Sequence, residues 1–260
     1  MAGEFNGNIR DMAFWRGAVA EFLGTMFVVF IVTSVWVSNP AMGMTGDLAL
    51  ATGFTYAAAL YFAKGYSGGH LNPIVSLVAV VFQQIHVIQF AVYFLMQILG
   101  GIIGSAFVRA ARDGQHQNQW LGAVRVFPNS TDGQAFLWEF MGTLFVLIVF
   151  VETSYGKAFR AGNIAPLAQG TAYYAATVAT GRWTSASLNP ARAFGPALVA
   201  DRWDDHWLYW IAPIVAAVVV IILGAFVFNV AKPIGMGPKP ATAQTDEEEG
   251  APMRVVNPGK

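Results

Sequence analysis

His70-Leu71-Asn72-Pro73-Ile74 has a counterpart late in the chain, Ser187-Leu188-Asn189-Pro190-Ala191-Arg192. An Asn-Pro step is a helix-start signal, because Asn caps an N-terminus and Pro fits the first turn. The apolar runs that follow, residues 72–82 and 189–200, are too short to cross a bilayer. Runs of about 10–14 residues suit a re-entrant segment. Such backbone is tolerated at membrane depth only where protein buries it or it lines a water-filled cavity. The paired steps therefore point to a cavity inside a membrane protein.

Composition agrees. The chain has 260 residues, 55% hydrophobic and 12% charged, against roughly 25% charged in soluble domains. Formal net charge is zero, which gives no reason to expect a nucleic-acid partner. With no cysteine, disulfides, thiol catalysis and Cys-based metal sites are excluded. His70, His86, His116 and His206 are scattered without metal-ligand spacing, so neither metal nor cofactor is expected. Glu4, Arg10 and Asp11 precede the first apolar run, unlike a cleavable leader, so that run is read as its own insertion signal.

A spanning helix needs about 20 apolar residues. Six candidates run over residues 17–37, 48–63, 87–108, 136–151, 164–180 and 207–230. The second and fifth are the weakest, being rich in Ala, Gly and Thr; small residues let helices approach closely or line a pathway. The pattern is duplicated. Glu21-Phe22-Leu23-Gly24-Thr25 recurs as Glu139-Phe140-Met141-Gly142-Thr143, and Glu precedes Asn-Pro by 72 − 21 = 51 and 189 − 139 = 50 positions. Three spans per half is odd, so the second half is inverted. Inverted repeats with broken helices at matched positions place a transport site between the halves at the midplane. The expected fold is an all-α membrane protein of six transmembrane helices plus two re-entrant half-helices. The expected organisation is a short segment 1–14, a channel domain 15–230 (repeats about 15–110 and 135–230) and a disordered tail 231–260 with the acidic run Asp246-Glu247-Glu248-Glu249.

Orientation is read from Lys and Arg in short loops. Arg10 and Arg16 at the start, with Lys157 and Arg160 in the fourth loop, put both termini in the cytoplasm; Arg109, Arg112 and Arg125 in the third loop pull the other way. The first span is taken to decide. Asn129-Ser130-Thr131 is then a glycosylation sequon in an outside loop.

Inverted symmetry brings the two half-helix N-termini together near the middle, each carrying about +0.5 of an elementary charge. Together they oppose cations, and the Asn72 and Asn189 amides are expected to donate to passing molecules, which interrupts proton relay. Arg192 lies three positions after Asn189. It could snorkel to the interface, but its place on the re-entrant helix favours a pore-lining role. Glu21 and Glu139 are expected to accept hydrogen bonds from the irregular backbone before each half-helix. His70 is read as structural support for the loop it occupies.

Taken together these stretches resemble the aquaporin or major intrinsic protein family. The resemblance covers about residues 15–230 and rests on the Glu-Phe-x-Gly-Thr starts, Ser67-Gly68-Gly69-His70-Leu71-Asn72-Pro73, Asn189-Pro190-Ala191-Arg192-Ala193-Phe194-Gly195-Pro196 and His206-Trp207-Leu208-Tyr209-Trp210-Ile211-Ala212-Pro213. It implies the family's NPA motif at the pore midplane (Asn72, Pro73, Ile74; Asn189, Pro190, Ala191), a homotetramer with one pore per chain, and passive flow of water or small neutral solutes. Ile74 replaces the family's usual Ala and is expected to narrow or tilt the midplane contact. The family's outer constriction falls on Thr52, Thr177, Ala186 and Arg192. Two threonines, where water-selective members have an aromatic residue and a His, imply a wider aperture. Ala193 is unlike the Asp of glycerol facilitators, while Ala197 and Tyr209-Trp210 fit water-channel members. Ala186 replaces a Cys that confers mercury sensitivity on some members.

The expected function is a passive, non-enzymatic water channel in the plasma membrane that also admits small neutral solutes and excludes protons and ions. Its partners are those solutes and the lipid bilayer. The alternative is an aquaglyceroporin-like facilitator of glycerol, urea, ammonia or hydrogen peroxide. An ion-coupled secondary transporter would want an unpaired midplane acid, and Glu21 and Glu139 already have structural work. A junctional scaffold with a relic pore has only Ile74 in its favour. Thr242 and Thr245 are open to phosphorylation.

Overall fold

The computed structural model describes residues 8–38, 46–112, 120–156, 162–228 and 230. The tail with Thr242, Thr245 and the acidic run, residues 1–7 of the N-terminal segment, His116, Lys157 and Arg160 lie outside the described residues. The described chain holds eight α-helices: α1 (Met12–Ser38), α2 (Gly46–Ser67), α3 (Pro73–Val81), α4 (Val87–Ala111), α5 (Asp132–Tyr155), α6 (Ala165–Thr184), α7 (Pro190–Ala200) and α8 (Leu208–Phe226). Six are long and two, α3 and α7, are the short segments behind the Asn-Pro steps. The fold is the all-α arrangement of six spans plus two re-entrant half-helices.

Four of the long helices, α1, α4, α5 and α8, are apolar enough to cross a membrane by length and composition. The other two, α2 and α6, pack against each other, so the small residues at their crossing, Gly53, Ala57 and Gly170, meet protein rather than lipid. A Cβ added at Gly53 would lie 2.6 Å from Tyr174 Cβ and 2.8 Å from Gly170 O, and one at Gly170 would lie 2.6 Å from Ala57 Cβ. The two helices thus cross antiparallel at a distance only glycine permits. A second crossing joins α4 to α7, where a Cβ on Gly101 would meet Ala191 O at 2.5 Å. In addition α1 packs on α2 and α4, α5 on α6 and α8, and α3 on α4 and α8.

The helix limits have local causes. At the start of α5, Thr131 Oγ1 accepts from Gln134 N while Gln134 Oε1 accepts from Thr131 N at 2.9 Å, a capping box. At the other extreme, α8 stops at Phe226, although the apolar run reads on to residue 230. Val227 N and Phe228 N both donate to Leu223 O, at 2.8 and 2.9 Å, which closes the last turn. Hydropathy marks the membrane; the hydrogen bonds mark the helix end.

Two of the three arginines that oppose the charge rule, Arg109 and Arg125, have local partners. Arg109 Nη1 donates to Val199 O in the last turn of α7, a cation at a helix C-terminus. The Arg125 guanidinium lies 5.1 Å from the Trp120 ring centroid and 4.8 Å from that of Phe127.

Candidate functional site: a two-fold midplane and its outer mouth

Each half-helix begins at its Asn. The Asn72 Oδ1 accepts from Ile74 N at 3.0 Å, and Asn189 Oδ1 accepts from Ala191 N at 2.9 Å. Both residues are extended (φ −156° and −158°) and fully buried. The preceding leucines are left-handed, with φ 51° at Leu71 and 54° at Leu188. Leucine tolerates that region poorly, at a cost of about 1–3 kcal/mol, so the surroundings must enforce it.

Buried carboxyl groups enforce it. Glu21 Oε1 accepts from Ser67 Oγ (2.5 Å) and His70 N (2.8 Å); its Oε2 accepts from Leu71 N (2.6 Å) and Gln97 Nε2 (2.7 Å). In the second half Glu139 Oε1 accepts from Thr184 Oγ1 (2.6 Å) and Ser187 N (2.9 Å), and Oε2 from Leu188 N (2.9 Å). Three residues on, the Glu-Phe-x-Gly-Thr glycine leaves room for the leucine side chain: a Cβ on Gly142 would lie 2.7 Å from Leu188 Cδ2, and Gly24 faces Leu71 in the same way. The repeated motif is thus a carboxyl for the loop's N–H groups and a notch for its leucine. His70 belongs to the same support. Its Nδ1 lies 3.0 Å from Ser76 Oγ, which accepts from Gln97 Nε2 at 2.9 Å.

The left-handed turn aims each leucine carbonyl at the other half. Asn72 Nδ2 donates to Leu188 O at 2.8 Å, and Asn189 Nδ2 to Leu71 O at 2.7 Å. Each amide makes a second donation, Asn72 to Tyr173 Oη at 3.0 Å and Asn189 to Tyr56 Oη at 2.9 Å. The two tyrosine rings stack face to face, centroids 3.4 Å apart and planes 3° apart. Both donors of both amides are therefore committed to protein acceptors. The amides expected to serve passing molecules are thus occupied; tyrosine hydroxyls hold that place because α2 and α6 cross so closely.

Tyr56 and Tyr173 were not legible as site residues, although a signal exists. Each lies 16 positions before its asparagine, 72 − 56 and 189 − 173, so the inverted repeat relates them to each other. Residues that are two-fold mates and also touch must lie near the axis. That axis lies in the membrane plane, so the pair marks the midplane.

Thr52 and Thr177 lie four residues from Tyr56 and Tyr173, on the same helix faces; because α2 and α6 are antiparallel, both threonines sit on one side of the tyrosine pair. All four residues of the expected constriction are buried: Thr52, Thr177, Ala186 and Arg192. Thr52 Oγ1 donates back to Leu48 O at 2.8 Å. Arg192 Nη1 donates to Gly122 O of the α4–α5 loop at 3.0 Å. Its Nε and Nη2 have no protein partner, nor has Thr177 Oγ1. Ile74 is buried in an apolar cluster with Val75, Val78, Leu147, Phe150 and Ala216; Ala191 on the other side faces Gly101. Pro73 and Pro190 open the first turns. Asn129 is exposed in a turn. Among the described residues no cluster of acids and histidines suits a metal ion.

The family model for the major intrinsic protein matches residues 8–228. An aquaporin PIP-type from Atriplex canescens is 31% identical over 240 residues, spanning 86% of this chain and 84% of that protein. The probable aquaporin TIP3-2 of Oryza sativa subsp. japonica is 33% identical over 209 residues, 78% of this chain and 77% of that one. Among solved structures, the aquaglyceroporin from Plasmodium falciparum superposes with a TM-score of 0.70 at 25% identity, covering 82% of this chain and 96% of that one. The chain belongs to the major intrinsic protein family, whose members are membrane channels and not enzymes.

Proposed function

We propose that the protein is a passive channel for water that also admits small neutral solutes and excludes ions and protons. The observation that supports this reading is that Arg192 Nε, Arg192 Nη2 and Thr177 Oγ1, at the expected outer mouth, are buried without a protein partner. Buried donors left unpaired cost about 1–3 kcal/mol each, so a molecule that accepts from them satisfies the site. Water does so, and so does a small carbonyl or hydroxyl compound. The fixed Arg192 charge and the two half-helix N-termini oppose cations. The midplane asparagines hold the backbone geometry that aims those N-termini.

Thr52 and Thr177 favour the wider solute range. They are short where an aromatic residue and a His would narrow the mouth. Stopped-flow shrinkage of proteoliposomes tests the core of the reading; water permeability no higher than that of empty vesicles refutes it. Parallel fluxes of glycerol, urea and hydrogen peroxide separate a water channel from a broader facilitator.

The same reading places both termini in the cytoplasm, with Arg10 and Arg16 at the entry to the first span. The exposed sequon at Asn129 then faces outward, which fits a plasma membrane reached through a glycosylating route. Protease protection of a C-terminal epitope and a mobility shift on deglycosylation check the two points. A homotetramer fits the apolar outer wall of α2 and α6, where Phe54, Tyr61 and Val178 are exposed. Cross-linking in the bilayer should give four-chain species.

A further inference from the structure

We propose that the stacked Tyr56–Tyr173 pair is a gate at the midplane and the limiting constriction of the conduit. The proposal rests on the channel reading above and names the residues that set its conductance.

Three observations meet at this pair. The rings lie in face-to-face contact, centroids 3.4 Å apart. A water molecule of about 1.4 Å radius passes between them only if they separate to roughly twice that distance. Position comes second. The pair sits one helical turn, about 6 Å, inward of Thr52 and Thr177 on the same helix faces. A molecule that has passed the outer mouth meets the rings and, at the same depth, the asparagines that bond them. Third, the hydroxyls are the partners of the asparagine amides, Asn72 Nδ2 to Tyr173 Oη and Asn189 Nδ2 to Tyr56 Oη, at 3.0 and 2.9 Å. The remaining amide hydrogens are held by Leu188 O and Leu71 O, and those bonds fix the loops.

These facts couple opening to permeation. When the tyrosines swing away, the rings part and one donor on each asparagine is freed in the same movement. A permeating water takes the acceptor place that a hydroxyl has just left, so the open state keeps its hydrogen bonds only while occupied. The backbones of α2 and α6 are in contact through Gly53 and Gly170, so the motion belongs to the side chains. In a helix such a residue has two accessible χ1 wells. Selectivity follows as well: a solute must offer an acceptor to the freed amides and be small enough for the ring separation. The outer mouth, with threonines, selects less strictly.

The test compares purified wild-type protein with the Tyr56→Val/Tyr173→Val double variant and the Tyr56→Phe/Tyr173→Phe double variant, reconstituted at equal protein content. Stopped-flow water permeability is read against temperature, with urea and glycerol fluxes alongside. Opening from a state populated at about 10% or less predicts a rise in water permeability of about tenfold in the valine variant. It also predicts a steep temperature dependence in wild type that becomes shallow in the variant, and a larger relative gain for urea than for water. The phenylalanine variant keeps the rings and frees the amides, so it should fall between the two. A merely structural pair would lower permeability and shift the size-exclusion profile without flattening the temperature dependence. Shallow, water-like temperature dependence in wild type overturns the gate by itself, whether or not the valine variant folds. Wild-type flux that is matched by the valine variant overturns the gate and leaves the channel standing. Wild type silent with a conducting valine variant supports both, whereas silence in every folded form refutes both.

Discussion

The two halves of the repeat are alike where they meet and unlike where they face outward. Asn72 and Asn189, Leu71 and Leu188, Tyr56 and Tyr173, and Gly53 and Gly170 are all 117 positions apart, and each pair takes matching roles. Just beyond the Asn-Pro steps the likeness ends: Ile74 stands against Ala191, and Val75 in the first half stands against Arg192 in the second. Symmetry thus serves the backbone, since both strained loops need the same acceptors and the same notch. In the proposed channel the asymmetry gives the pore its sidedness, because a single fixed charge stands on one side of the asparagines.

The supports of the two loops differ in degree, and that difference can be broken. Glu21 receives four hydrogen bonds and Glu139 three. Removing the acceptor leaves buried donors unpaired at about 1–3 kcal/mol each, so Glu21→Ala and Glu139→Ala should each cost several kcal/mol. Glu21→Ala should be the worse because one Gln97 amide hydrogen loses its acceptor as well, while the other keeps Ser76 Oγ. Yield of monodisperse protein and thermal unfolding in detergent measure both. Equal, mild losses would mean that the left-handed leucines hold themselves.

Next in size is Ile74→Ala, which makes the two half-helix starts identical in side chain. The sequence invites the view that Ile74 tightens the pore centre. The structure places it among Val75, Leu147 and Phe150, so its bulk fills a packing space that Ala191, against Gly101, does not have. Truncation should cost about 2–5 kcal/mol of stability and leave permeability per folded channel unchanged. A clear gain in flux would return Ile74 to the pore.

Much of this was readable beforehand, for physical reasons. The Asn-Pro steps, the short apolar runs and the duplicated Glu-Phe-x-Gly-Thr stretch are local signals tied to helix starts and to buried polar groups. They locate eight helices to within about five residues at each end; most helices outlast the apolar run, as α1 does by starting at Met12, whereas at the end of α8 apolar sequence outlasts the helix. The tyrosine pair was not readable, because nothing about Tyr56 within α2 or Tyr173 within α6 distinguishes it from an ordinary aromatic. Their role exists only once two helices 117 positions apart cross at glycine distance. The commitment of the asparagine amides was hidden for the same reason. Donors look free in a sequence until their acceptors are placed.

A smaller effect separates the outer mouth from the midplane. Thr52→Phe with Thr177→His adds bulk one turn outward of the tyrosines. Urea flux should fall about tenfold, which corresponds to about 1.4 kcal/mol, and water flux by much less. If the two fall together, the threonines and the tyrosines act as one constriction, and the distinction between mouth and midplane fails.

The smallest expected effect is none at all. The chain has no cysteine, and position 186, assigned to the mouth in the proposed channel, is a buried alanine. A mercurial should leave water flux unchanged, while Ala186→Cys, placing a thiol at the proposed mouth, should make flux mercurial-sensitive and reversible by a reducing thiol. The backbone at Ala186 is left-handed, φ 47°, and cysteine meets the same restriction there as alanine, so the substitution adds a reactive atom with little further strain. If the thiol is modified at position 186 and flux persists, the mouth is wider than a bound mercurial and the midplane alone limits permeation. If flux stops, mouth and midplane lie in series on one path. Block of the unaltered protein would point to a mercurial site outside thiol chemistry, and Ala186 would lose its place at the mouth.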